Sequence, residues 1–190
     1  MKLCSESVFG LELLRPEAPD ALISEEEFEH DEFLPYWAEL WPAARALVEA
    51  LPDVRDLRVV ELGCGLGVPS LVAASRGADV TAVDWAEDAI ALLRDNAKRN
   101  GLTLRAERRD WREPWDERFD LVIAADVLYE HRNVEPVLNR LRELAPAALL
   151  ALAGRPYEDA FLRLARESGE RVEQIGKLFY MGDHRPVPAS

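Results

Sequence analysis

A glutamate and three glycines fall within seven positions, Glu61-Leu62-Gly63-Cys64-Gly65-Leu66-Gly67, and form the densest chemical signal in the chain. Glycines let a chain turn sharply and let a ligand approach the backbone closely. Asp84 follows 84 − 63 = 21 positions after the first of these glycines, about the spacing at which a carboxylate reaches ribose hydroxyls in dinucleotide folds. The spacing is GxGxG rather than GxGxxG, and no Lys-Ser/Thr pair follows it. It therefore favours a nucleoside with an uncharged tail over a cradled phosphate. Taken alone, the glycines and Asp84 leave the cofactor open. Asp110-Trp111 adds an acceptor and an indole suited to hydrogen-bonding and stacking an adenine, although such a pair is also an ordinary turn with a half-buried aromatic. Ala125-Asp126-Val127-Leu128-Tyr129 places a carboxylate and a phenol after a very apolar run. Helix capping for Asp126 and core packing for Tyr129 are the plainer alternatives.

These residues need a scaffold, and from about residue 53 onward strand-like apolar runs alternate with amphipathic stretches. That alternation predicts a parallel sheet covered by helices on both faces. Strands are expected at Arg58 to Leu62, Asp79 to Val83, Leu102 to Glu107, Phe119 to Ala125 and Ala147 to Ala153. Helices are expected from Val68 to Arg76 and Ala86 to Asn100, then along the stripes of Val134, Val137, Leu138, Leu141, Leu144 and of Tyr157, Phe161, Leu164. Gly77, Gly101 and Gly169 stop three of them. Residues from Arg171 to Val187 leave room for two strands with no helix between, an antiparallel hairpin. The fold class is thus α/β: a Rossmann-like, doubly wound, mostly parallel seven-stranded sheet. Residues 1–52 break the pattern, with a strand expected at Val8 to Leu14, an acidic helix start at Ser24 to Glu27 and a helix after Pro42. They read as an N-terminal cap or stabilising extension on a 53–190 domain, together one structural unit.

The 190 residues suit one core. Lys+Arg 23 against Asp+Glu 36 gives a net charge of −13, which opposes binding to nucleic-acid phosphates or anionic lipid and favours a basic or neutral partner. No apolar run approaches the roughly 20 residues of a membrane helix and no signal-peptide h-region follows the first residues, so a cytoplasmic protein is expected, and a monomer is the expected state. Cys4 and Cys64 lie in no CxxC or histidine cluster, so neither a disulfide framework nor a metal site is expected. His131, five residues after Asp126, could serve as a base or simply be a solvated group, while His30 and His184 are isolated. Arg108, Arg109 and Arg112 form a short basic patch expected to pair with neighbouring carboxylates.

On these pieces, joined by Pro35-Tyr36-Trp37-Ala38-Glu39-Leu40-Trp41-Pro42, the sequence resembles the class I S-adenosylmethionine-dependent methyltransferases. Within them it is similar to the seven-strand protein-lysine methyltransferase family that includes the electron-transfer-flavoprotein β-subunit lysine methyltransferase. The resemblance covers about Pro35 to Leu144 and fades in residues 1–34 and after Gly154. It implies S-adenosylmethionine as cofactor, S-adenosylhomocysteine as product and no metal. It implies Trp41 as a wall of the cofactor site, Gly63 and Gly65 under the methionine moiety, Asp84 on the ribose, Trp111 at the adenine and Ala125 beside the cofactor. Glu61, Cys64, Gly67, Trp85 and Asp110 complete the expected cofactor set. Asp126 and Tyr129 match the family's acidic-x-x-aromatic signature at the substrate.

What the resemblance implies is an N-methyltransferase acting on a lysine of a protein, with a small-molecule amine as the alternative acceptor. A nicotinamide-dependent oxidoreductase and a non-catalytic binding module are further alternatives. A lysine of free pKa about 10.4 must lose its proton first, at a cost of roughly 4 to 5 kcal/mol at neutral pH. A sulfonium about 4 Å away at an effective dielectric of about 20 offsets on the order of 4 kcal/mol of this. Asp126 would favour the ammonium, so its expected role is to bind and orient the amine rather than to act as base. Tyr129 would supply an aromatic or hydroxyl wall.

Overall fold

Val59, Val60, Leu62, Val122, Ile123 and Ala124 are all buried, as continuous apolar runs in a parallel sheet must be when helices cover both faces. The computed structural model describes residues 2–19 and 36–182. Its elements run β1 (Leu3–Val8), β2 (Leu11–Pro16), α1 (Pro42–Ala50), β3 (Arg58–Leu62), α2 (Val68–Ser75), β4 (Asp79–Asp84), α3 (Glu87–Arg99), β5 (Arg105–Arg108) and β6 (Leu121–Ala125). They continue with α4 (Val134–Leu144), β7 (Ala147–Ala151), α5 (Glu158–Glu167), β8 (Val172–Ile175) and β9 (Leu178–Gly182). Seven strands form one sheet in the order β5-β4-β3-β6-β7-β9-β8. β3 to β7 are parallel, and β9 joins β7 antiparallel with β8 outside it. The expected C-terminal hairpin is therefore present.

Successive side chains on each strand face opposite ways, and the core divides accordingly. Val59, Val80, Ala82 and Ile123 pack with Leu47 of α1, Leu71 of α2 and Ile90 and Leu93 of α3 on one face. Val60, Leu62, Val83 and Val122 pack with Val137 and Leu141 of α4 and Phe161 of α5 on the other. At about 1.5 to 3 kcal/mol for each large side chain buried, these two layers hold the strand ends in place. Among the described residues no helix is long and apolar enough to cross a membrane.

The N-terminal expectation needs correction. The strand placed at Val8 to Leu14 straddles a tight turn, because Phe9 and Gly10 both take positive φ (50° and 78°) and reverse the chain between β1 and β2. Two successive positive φ values are those of the hairpin turn whose twist matches its strands. The hairpin rests against α3. Asn96 accepts from the Leu14 N–H (2.7 Å) and donates to its carbonyl (2.9 Å), and Asn100, just past the helix, does the same for Glu12 at 2.9 and 2.8 Å. The acidic helix start at Ser24, and His30 and His184, lie outside the described residues.

Candidate functional site

β3 has β4 and β5 on one side and β6 and β7 on the other, so the chain order reverses at its carboxyl end. A crevice opens at such a point in doubly wound sheets. Here it is a cavity of about 740 Å³ lined by the glycine loop, Asp84, Trp111, Asp126 and Tyr129 among others, within the range of ligand pockets.

The loop is shaped by its glycines. Gly63, Gly65 and Gly67 have φ of 62°, 50° and 68°, a region costly for other residues. A side chain on Gly67 would meet Leu93 at 2.4 Å, and one on Gly65 would approach the Trp37 carbonyl at 3.1 Å. Asp84, at the end of β4, fixes the loop: its carboxylate accepts the Gly65 N–H at 2.8 Å and the Ala86 N–H at 2.9 Å. Burial pushes its pKa up, against these hydrogen bonds. The carboxylate keeps lone-pair capacity for a ligand hydroxyl. Glu61 lies beneath the loop, 1% exposed, and accepts the Ser70 N–H (2.9 Å) and hydroxyl from the first turn of α2. Burial pushes its pKa up to about 8, against the Ser70 hydrogen bonds. Cys64 is a free thiol, raised further by burial and by Asp84 and Glu61.

The opposite wall carries aromatic and charged groups. Trp41 donates its indole N–H to the Tyr36 carbonyl at 2.8 Å, and the Tyr36 and Tyr129 rings lie 5.6 Å apart. Burial, helped by Glu130 and Asp84, pushes Tyr129 up to about 12, so its phenol stays neutral at physiological pH. Asp126 follows β6 at φ 53°, with its N–H donated to the Ala151 carbonyl at 3.0 Å. Its carboxylate is gripped by Arg155, with Nε to Oδ1 at 2.8 Å and Nη2 to Oδ2 at 2.6 Å. His131 lies exposed on the rim, edge-on to Tyr157 at 5.7 Å.

The cavity thus brings together Trp41, Glu61, Gly63, Cys64, Gly65, Gly67, Asp84, Trp85, Trp111, Ala125, Asp126 and Tyr129 of the expected residues. Asp110 is not among its lining: that carboxylate is held by Arg112 at 2.6 Å, which lowers its pKa. Asp126 caps no helix, since α4 begins eight positions later. Of the basic patch, Arg109 pairs with Glu107 and Arg112 with Asp110, while Arg108 donates to the Trp85 carbonyl at 2.9 Å. Sequence reasoning assigned no role to Tyr36, Trp37 or Arg155. The first two sit in the Pro35 to Pro42 stretch that carries part of the family resemblance, and the position of Arg155 just past the end of β7 was the available clue. Among the described residues no cluster has the makeup of a metal site.

The donor set fits S-adenosylmethionine. A carboxylate with spare lone pairs, a glycine loop lining the cavity, indole faces and flanking acidic groups suit a nucleoside bearing a positive charge. Residues 36–150 match the family model described as methyltransferase small domain. The chain is 30% identical over 171 residues to EEF1A lysine methyltransferase 3 of Mus musculus, covering 79% of this chain and 73% of that protein. It is 33% identical over 172 residues to protein-lysine methyltransferase METTL21E of Bos taurus, covering 81% of this chain and 57% of the relative. Among solved structures, magnesium protoporphyrin IX methyltransferase from Synechocystis PCC 6803 with bound SAM shares the fold. Its TM-score is 0.62 at 21% identity, over 74% of this chain and 76% of that one.

Proposed function

This chain belongs to the methyltransferase small-domain family and is an S-adenosylmethionine-dependent methyltransferase, and on that premise we propose that it methylates a lysine side chain of another protein. The oxidoreductase alternative falls with the family match. The reading is carried by one observation: Asp126 and Tyr129 share a cavity with the glycine loop and Asp84. An acceptor held by the first pair would sit beside a donor held by the second. Two relatives bearing lysine methyltransferase names add support, as does a net charge of −13, which suits a basic substrate segment.

S-adenosylmethionine supplies an electrophilic methyl group on a positively charged sulfur. The chain's own task is to position and to exclude water. Asp84 would hold the ribose hydroxyls, the Gly63 to Gly67 loop the methionine moiety, and Trp111 the adenine. Trp41 and Ala125 wall the reacting end. Asp126 accepts a hydrogen bond from the acceptor amine, while Tyr129, with Tyr36 behind it, closes the side of the channel. The amine lone pair attacks the methyl carbon, the carbon–sulfur bond breaks, and S-adenosylhomocysteine leaves. The ammonium has given its proton to solvent water beforehand.

The test is transfer of radiolabelled methyl from S-adenosylmethionine into an extract of the source cells, with acid-precipitable protein separated from the soluble fraction. Label recovered on lysine in the protein fraction is the expected result. Label confined to the soluble fraction overturns the protein-lysine reading in favour of a small-molecule amine.

A further inference from the structure

The acceptor wall holds a cation as well as a carboxylate. The guanidinium of Arg155 engages both oxygens of Asp126, the forked geometry that makes arginine–carboxylate pairs strong and directional. It also lies over the Trp41 ring, 5.8 Å from its centre. The Asp126 side chain is only 7% exposed against 36% for Arg155, so the carboxylate is shielded and its charge would act strongly on any neighbour. Asp126 is further held in a left-handed conformation by the Ala151 carbonyl. The pair therefore ties the loop after β6 to the loop after β7, at the mouth of the cavity that both residues line.

Resting on the lysine reading above, we propose that Arg155 is a positioning residue that stays paired with Asp126 during turnover, so that the acceptor amine meets a hydrogen-bond acceptor without a net negative charge. An unpaired carboxylate about 4 Å from an amine, at an effective dielectric of about 20, raises the amine's pKa by up to about three units. That would hold the acceptor as an unreactive ammonium at neutral pH. The paired guanidinium cancels most of this effect while the remaining lone pairs of Asp126 still accept an N–H.

Most of the other charges around the pair are engaged elsewhere. Glu158 and Tyr36 also act on Arg155, but the Glu158 carboxylate accepts the backbone N–H groups of Ala153 and Gly154. Glu130 is paired with Arg132. Asp84 and Glu61, at the glycine loop, are bound to backbone and to Ser70. His131 packs on Tyr157, Tyr129 keeps its proton, and Glu39 lies exposed at the rim.

The experiment is the pH profile of kcat for methyl transfer to the acceptor purified from whichever fraction of cell extract, protein or soluble, the wild type labels. The kcat profile reports the groups that titrate in the bound complex. Arg155→Gln should move the acid limb up by about one pH unit or more, with roughly tenfold slower transfer at pH 7 and recovery above about pH 9. Arg155→Lys should stay near the wild-type limb. Asp126→Asn combined with Arg155→Gln should return the limb towards wild type while KM rises. Asparagine tolerates the left-handed conformation at position 126, and S-adenosylhomocysteine affinity checks that each variant is folded. An unshifted limb with a lowered KM in Arg155→Gln would overturn the proposal, showing an arginine that the acceptor displaces. So would an equal loss of rate at every pH, or a wild-type rate with no acid limb. Label in a soluble amine with the predicted shift would end the protein-lysine reading and uphold the role of Arg155.

Discussion

The two halves of the cavity are built by different means. The half around Gly63 to Gly67 is made of backbone, held by near neighbours: Asp84 ends β4, beside β3, and Ser70, in the first turn of α2, lies nine positions after Glu61. The half around Asp126 is made of side chains gathered from afar, with Arg155 29 positions away and Tyr36 and Trp41 from the segment before α1. A site built of backbone is common to a fold, whereas one built of converging side chains can be changed without disturbing the sheet. Donor binding should therefore be the rigid part and acceptor choice the variable part.

The widest separation between the halves is expected for Asp126→Ala. It should lower kcat/KM for methyl transfer by about a thousandfold, because it removes the amine's partner and leaves Arg155 uncompensated. S-adenosylhomocysteine affinity, measured by calorimetry, should stay within about twofold. Equal loss of both would mean that the halves are one unit. Next in size is a pH effect confined to the glycine half. Glu61 in the folded protein holds its proton up to about pH 8, against an ordinary value of 4.5. Its stabilising contribution is therefore full below about pH 4.5 and is lost as pH rises towards 8. Wild-type unfolding free energy should fall by about 3 kcal/mol between pH 5 and 7.5 in denaturant titrations, and Glu61→Gln should remove more than half of that slope. Asp84→Ala should weaken S-adenosylhomocysteine binding by about a hundredfold, since it releases Gly65 and Ala86 along with the ligand's hydroxyls. A loss confined to kcat would place Asp84 functionally in the other half.

The same contrast explains what could be read from the sequence. β3 to β7 and their helices follow from local periodicity, because each strand and each helical stripe carries its own buried face. The glycine loop and Asp84 are legible for a similar reason: their spacing is set by the length of one helix and one strand. The strand expected over Val8 to Leu14 failed at Phe9, since a positive φ in a bulky residue has no signature in hydrophobic pattern. Asp110 was expected at the adenine because of its neighbour Trp111, yet Arg112, two residues on, takes up its carboxylate. Arg155 was hidden by distance. Nothing within ten residues of Asp126 announces that its partner follows the next strand.

Asn96 and Asn100, one helical turn apart on the side of α3, offer two carboxamides to the outer edge of β2. Each amide presents one donor and one acceptor, as a peptide unit does, so the pair stands in for a third strand. A ribbon that would otherwise carry an open ladder of N–H and C=O groups, and could recruit a foreign chain into an aggregate, has part of that ladder satisfied by the enzyme's own helix. The amides thereby serve solubility as well as attachment.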